Sequence, residues 1–218
     1  RPYNPGSSAM TRLSREDRLE QLLSCDLPFW RQGIRLAGMD EVGRGPLAGC
    51  VTAACVVMPS DSRILWVDDS KKLSPSRREK VYEEIIRTAR FVGIGMVEAE
   101  EIDRINILQA TMKAMRQAAN GAGAGIYLVD AVQHLGLDGE ERALIHGDAL
   151  SYSIAAASIV AKVVRDREME ELDKRFPMYG FAKNKGYGTA QHIQALREYG
   201  PSPIHRRSFI GRLLSKEA

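Results

Sequence analysis

The sequence predicts an α/β fold, a mixed central sheet flanked by helices with a small helical C-terminal lobe. Three observations predict it. Short apolar runs with strand character, Ile34 to Met39, Cys50 to Met58, Phe91 to Val97 and Ile126 to Val129, alternate with longer stretches of helical period. The stretch from about Ser151 to Phe176 is apolar on nearly every face between Ile154 and Ala161, which demands close packing against a sheet. Beyond Pro177 the chain turns basic and glycine-rich, with few apolar anchors of its own.

In chain order, Arg1 to Ser8 starts without Met and reads as a cut end rather than folded structure. Leu13 to Leu23 fits a short amphipathic helix capped by Thr11 or Ser14. The runs around Asp40 form an antiparallel pair, with Asp40 and Glu41 near their junction. Ser60 to Ser74 is a polar connection. Ser74 and Pro75 then supply an N-cap and first helical residue, and the pattern to Ala89 turns Val81, Ile85 and Ile86 inward. Phe91 to Val97 is the third strand, Glu98 to Ala119 one long helix, and Gly121, Gly123 and Gly125 break it. Ile126 to Val129 enters Asp130, Ala143 to Ile145 is a short strand, and the small residues of the next helix let sheet and helix backbones approach. A helix from Ala190 to Tyr199 and a final one after Phe209 complete the chain. The expected division is 1–33, an N-terminal tail and helical segment; 34–176, the core; and 177–218, a lobe integrated with it.

With 218 residues the chain can form one domain of radius roughly 17 Å. At 44% hydrophobic and 27% charged, disordered and fibrous classes are excluded. No apolar run approaches the roughly 20 residues that span a bilayer, and the polar start lacks a secretion signal. Cys25, Cys50 and Cys55 have no zinc or disulfide spacing and read as free thiols in a reducing, cytoplasmic setting. The formal charge of +3 is concentrated as bases in the last third, which suits an anionic polymer.

The chemistry centres on Gly38-Met39-Asp40-Glu41-Val42-Gly43-Arg44-Gly45-Pro46-Leu47-Ala48-Gly49. Neighbouring strand residues point to opposite faces, so Asp40 and Glu41 share a site only if the backbone twists, bulges or leaves the sheet. Gly43 and Gly45 permit that path and leave amides open to a close ligand. An ordinary turn uses the same residues, and at this point both readings stand. Asp130 ends a second apolar strand and Asp148 follows a third. Four carboxylates brought together would repel one another, and hard divalent cations offset that repulsion. Spacing alone leaves their convergence open.

Longer motifs narrow the reading. Asp40 to Gly49, Asp69-Ser70-Lys71-Lys72-Leu73-Ser74, Glu100 to Thr111, Gly147-Asp148 and Ser153 to Asp166 together resemble the bacterial ribonuclease HII family, the type 2 ribonucleases H, over roughly Leu36 to Thr189. The resemblance implies the ribonuclease H-like fold, with a helical C-terminal element closing over a duplex. It implies that Asp40, Glu41, Asp130 and Asp148 are the catalytic metal ligands, holding Mn²⁺ or Mg²⁺ for two-metal-ion hydrolysis. The implied substrates are RNA/DNA hybrids and duplex DNA containing single ribonucleotides. Cleavage on the 5′ side would leave 3′-hydroxyl and 5′-phosphate ends, in the service of ribonucleotide removal from DNA.

By the same resemblance, Gly43, Arg44 and Gly45 sense the 2′-hydroxyl, the group that distinguishes RNA from DNA, and Tyr187 packs on the neighbouring sugar. Lys71, Lys72, Lys183 and Lys185 are candidates for phosphate positioning, with Arg206 and Arg207 behind them. Two positions depart from the family pattern: Ala131 stands where Gly is usual after the third acid, and His146 where Lys is usual before Gly147. His134, His192 and His205 are assigned packing, capping or surface roles. A monomer without membrane association is expected. Two alternatives are a type 3 ribonuclease H preferring longer hybrids and a catalytically weak nucleic-acid-binding protein.

Overall fold

The computed structural model describes residues 13–215, so the Arg1 to Ser8 stretch and the rival cap Thr11 lie outside the described residues. Helix α1 spans Arg15–Arg31, with the Ser14 hydroxyl accepting from the Asp17 amide and Glu16 and Asp17 in the first turn. Both features favour a helix N-terminus. The helix runs well past the expected Leu23, through Pro28, because its buried stripe continues as Asp26 and Trp30. A buried acid and a proline are not the apolar period that marks a helix in sequence.

Strand β1 is Leu36–Val42 and β2 is Val51–Val57, antiparallel with Asp40 opposite Ala54 and Glu41 opposite Ala53. The acids therefore lie within the ladder, and the connection is the whole Gly43 to Cys50 loop. After a 3-10 turn at Ser70–Lys72, α2 spans Pro75–Thr88 under its Ser74 cap. Val81 and Ile85 are buried, but Ile86, rotated a further ~100° around the helix, is exposed. Strand β3 is Phe91–Val97. The single helix expected next is two, α3 Ala99–Ile105 and α4 Ile107–Ala119. Asn106 breaks them at φ 72°, and its side chain caps the second by accepting from the Gln109 amide.

Strand β4 is Ile126–Asp130, and β5 is Glu140–Leu144, starting earlier than expected because it pairs along all of β4. A 3-10 turn at Gly147–Ala149 leads to α5, Tyr152–Arg175. The C-terminal lobe holds α6 Phe181–Asn184, α7 Ala190–Tyr199 and α8 Arg207–Leu214.

The five strands lie in the order β3-β2-β1-β4-β5, with β1, β4 and β5 parallel and β2 and β3 antiparallel additions. One face packs on α5 with α1 and α2, through Leu22, Leu36, Ile85, Leu128, Tyr152 and Ile159. The other packs on α4 through Met39, Cys55, Met115, Tyr127 and Val129. Gly38 lets α5 sit directly on β1, since any Cβ there would overlap the Ser153 main chain. A third cluster of Ala48, Met169, Leu172, Tyr179, Phe181 and Leu196 joins the lobe to the β1–β2 loop and α5. No described helix is long and apolar enough to cross a membrane.

Candidate active site

The ladder between β1 and β4 ends at Met39 and Val129, so Asp40 and Asp130 emerge side by side at one end of the sheet. Because β5 runs parallel to β4 as far as Leu144 opposite Asp130, the turn that follows it returns to the same end. That turn carries Asp148. Buried Asp26 of α1 fixes the start of α5 behind it by accepting from the Ser151 and Ser153 hydroxyls and the Ser153 amide. The result is that Asp40, Asp130 and Asp148 each present a carboxylate oxygen within 4.8 Å of the others.

These three acids line a pocket of about 230 Å³ with Glu41, Val42, Ser70, Lys71, Ser158, Lys162 and Tyr187. Leaving the ladder with β4 lets both neighbouring acids of β1 reach it. Glu41 stands at the pocket wall with its carboxylate 3.7 Å from the Arg44 guanidinium, outside the three-oxygen group. A larger pocket of about 610 Å³ lies beside Gln133, His134 and Glu141, but the Glu141 carboxylate is already taken by the Leu135 and Leu137 amides.

Burial, then repulsion from Glu41, Asp130 and Asp148, pushes the Asp40 carboxyl well above its ordinary range. Burial also raises Glu41, against the pull of Arg44. Asp148 is raised by burial and by Asp69 and Asp130, with Lys71 opposing. Asp69, not singled out in the sequence, is thus a further acid at the site. Crowded hard oxygens with no thiolate or imidazole among them suit a hard divalent cation.

The glycine loop is held from behind by two arginines with no exposed surface. Arg165 of α5 donates to the carbonyls of Cys50 (3.0 Å), Ala48 (3.2 Å) and Lys185 (2.8 Å). Arg206 donates to those of Gly43 (2.6 Å), Arg44 (2.9 Å) and Gly49 (3.0 Å). Gly43, at φ +90°, has no room for a side chain against Arg165. Buried carbonyls are thereby satisfied and the loop's shape beside the acids is fixed.

With this geometry in view, a protein-family model described as Ribonuclease HII matches residues 37–212. The chain belongs to the ribonuclease HII family. The Ribonuclease HII of Caldanaerobacter subterraneus subsp. tengcongensis is 48% identical over 215 residues, covering 97% of this chain and 89% of that protein. Among solved structures, ribonuclease H2 from Pyrococcus horikoshii OT3 aligns with a TM-score of 0.72 at 26% identity, over 84% of this chain and 98% of that one. A chain from the PCNA:RNase HII complex of Archaeoglobus fulgidus gives 0.71 at 28% identity, over 79% and 94%. The ribonuclease H-like mixed sheet and its helical C-terminal region agree with the fold read from the sequence.

In this family member the expected substrate residues separate into groups. Tyr187 is exposed at the pocket wall, and Lys71 lines it. Lys72 is half-exposed, 3.9 Å from Asp68, and Lys183 is exposed on α6. Lys185 is engaged by Glu170 at 2.8 Å. Arg206 is not a surface phosphate ligand, because its guanidinium is consumed by the loop carbonyls. Lys162, missed in the sequence, lines the pocket while paired with Asp166 at 2.7 Å. It lies one turn beyond Ser158, another lining residue that the structure alone identifies.

Both departures from the family pattern fall at left-handed backbone positions, Ala131 at φ 54° and His146 at φ 58°. His192 and His205 are not surface groups; their Nε2 atoms meet at 2.9 Å inside the lobe, against Tyr179 and Phe181. Burial and mutual repulsion lower His205 to about 4, and burial lowers His192.

Proposed function

We propose that the chain is a metal-dependent endoribonuclease acting on RNA/DNA hybrids and on the 5′ side of single ribonucleotides in duplex DNA. Its products would carry 3′-hydroxyl and 5′-phosphate ends. The observation that carries this reading is the meeting of Asp40, Asp130 and Asp148 within 4.8 Å, in one pocket with Glu41 and Tyr187. Those four acids would hold Mg²⁺ or Mn²⁺. When bound, two such ions supply an activated water and stabilisation of the leaving oxygen.

The chain's own groups position the substrate. The Gly43-Arg44-Gly45 loop, fixed from behind by Arg165 and Arg206, turns its free side to the 2′-hydroxyl. Tyr187 packs on the adjoining sugar, and Lys71 with Lys72 and Lys183 offers phosphate contacts; Lys185 must first leave Glu170. We assign 34–176 as the catalytic core, 177–218 as its substrate-binding lobe and 1–33 as a helical flank. Burial keeps the thiols of Cys25, Cys50 and Cys55 protonated and unreactive. A cytoplasmic setting and a monomeric enzyme are part of the same proposal.

The test is incision of a duplex carrying one ribonucleotide, with Mg²⁺, with Mn²⁺ and with chelator. Folded protein that makes no metal-dependent cut overturns the proposal, and binding without product supports a binding module instead. A preference for a long ribonucleotide tract over a single one would reassign the chain to type 3 specificity. Tyr187→Phe should keep most activity on the single ribonucleotide and Tyr187→Ala should lose it, since only the second removes the packing ring.

A further inference from the structure

Of the surface beside the pocket, only Lys72 has a role in the chemistry above. Trp66, half-buried in the loop before Lys71, carries two guanidinium groups over its ring: Arg15, 4.3 Å from the centroid, and Arg77, 4.1 Å from it. They come from the first turns of α1 and α2. Neighbouring Asp68 is buried and shared by three cations, Arg18 at 2.8 Å, Arg15 at 3.2 Å and Lys72 at 3.9 Å. One carboxylate thus faces three positive charges, and Arg77 has no carboxylate partner among the described residues.

The surface is rigid and tied to the active site. Arg18 also donates to the Ala149 carbonyl at 3.1 Å, one residue beyond Asp148. Buried Arg78 holds the same loop from below through the Ser70 and Leu73 carbonyls. Ser70 and Lys71, two and three residues from Asp68, line the carboxylate pocket itself. Stacking holds each guanidinium in orientation: Arg77 keeps its N–H edge free among the described residues, which suits phosphate oxygens, while Arg15 spends one N–H on Asp68 and has the rest of its fork to offer.

We propose that Arg15, Trp66 and Arg77, with Lys72, form a platform for the phosphate backbone of the duplex flanking the cleavage position. The proposal rests on the nuclease reading, because a duplex seated at the pocket must continue beyond it, and surplus positive charge contiguous with the pocket meets that continuation. The platform contacts no base edge, so it adds affinity without sequence preference.

The experiment compares wild type with Arg15→Ala/Arg77→Ala on two duplexes, each with one ribonucleotide, one with long flanks and one trimmed close to that nucleotide. Binding is measured with chelator present, and cleavage with Mg²⁺. The double variant should weaken binding to the long duplex about tenfold more than to the short one, and lower the salt slope of log Kd on the long duplex by about 2, near 0.9 per lost phosphate contact. Arg15→Lys/Arg77→Lys, which keeps charge without the stacked plane, should recover part of the affinity. Equal effects on both duplexes, or a wild-type salt slope, overturn the platform. So does undiminished duplex binding accompanied by lost binding of an acidic protein. If wild type binds both duplexes and cuts neither, cleavage fails as a reading while the binding arm still decides the platform.

Discussion

Asp40→Asn should stabilise the metal-free protein while abolishing its activity. Carboxylate oxygens of Asp40, Asp130 and Asp148 lie within 4.8 Å of one another. At that separation two unit charges repel by about 3 kcal/mol at an effective dielectric near 20. Proton uptake relieves part of the repulsion, as the raised Asp40 carboxyl indicates, so a net gain of about 1–2 kcal/mol is expected. For a chain of this size that is a rise in Tm of roughly 2–8 °C. The sign follows from proton linkage: a carboxyl whose folded pKa is raised costs nothing below its unfolded value near 3.8, and the cost grows as pH climbs through the folded value. The advantage of Asn should therefore be larger at pH 8 than at pH 5 and vanish toward pH 4. With Mg²⁺ the order should narrow or reverse, since only the wild type keeps the full ligand set; ion at 100 times its Kd stabilises by about 2.7 kcal/mol. Melting curves of both proteins in chelator and in Mg²⁺, across pH, test each part. A variant that melts at or below wild type in chelator at pH 8 would refute the claim that these acids repel one another.

Three further outcomes are expected. Ala131→Gly removes a Cβ from a left-handed position at φ 54°, and after the greater unfolded-state entropy of Gly it should gain about 0.5–1 kcal/mol in urea unfolding. Arg206→Met leaves the carbonyls of Gly43, Arg44 and Gly49 without their donor, costing about 3 kcal/mol or more; proteolysis within 43–50 should speed up, and KM for a ribonucleotide-containing duplex should rise. Burial lowers both His192 and His205, the latter to about 4, so between about 6.5 and about 4 His205 leaves the folded lobe with fewer protons than the unfolded chain. Stability should therefore fall as pH drops through that window, and His205→Phe should flatten the dependence in acid denaturation curves.

The strands and the major helices were legible because their burial follows simple periods. Phe91–Val97 and Ala190–Tyr199 have the bounds the sequence suggested. Two errors fell where a polar residue shapes a helix, one buried and one exposed. Asp26, buried against Ser151 and Ser153, sits on the inward stripe of α1 and conceals that helix's second half. Asn106 splits a continuous helical pattern because its side chain can cap what its backbone interrupts. Period counting registers neither, since each depends on a partner remote in sequence or on a positive φ.

The same contrast explains the site. Asp40, Asp130 and Asp148 stood out because an acid ending an apolar strand is unusual, and parallel pairing of β1, β4 and β5 then necessarily gathers such ends. Arg206 stood out only as a candidate phosphate contact and Arg165 not at all, because a basic side chain reads as surface when its partners are carbonyls remote in sequence. Their carbonyl partners lie in the 43–50 loop and at Lys185, so the charge is absorbed by main-chain dipoles rather than by an acid. This arrangement also joins fold to specificity. The carbonyl face of the Gly43 to Gly49 loop is spent on α5 and the C-terminal lobe, leaving free the other face, the one proposed to meet a sugar. Loosening the lobe at Arg206 should then disturb the proposed ribose recognition before it disturbs the acids, which β1, β4 and the turn before α5 hold independently.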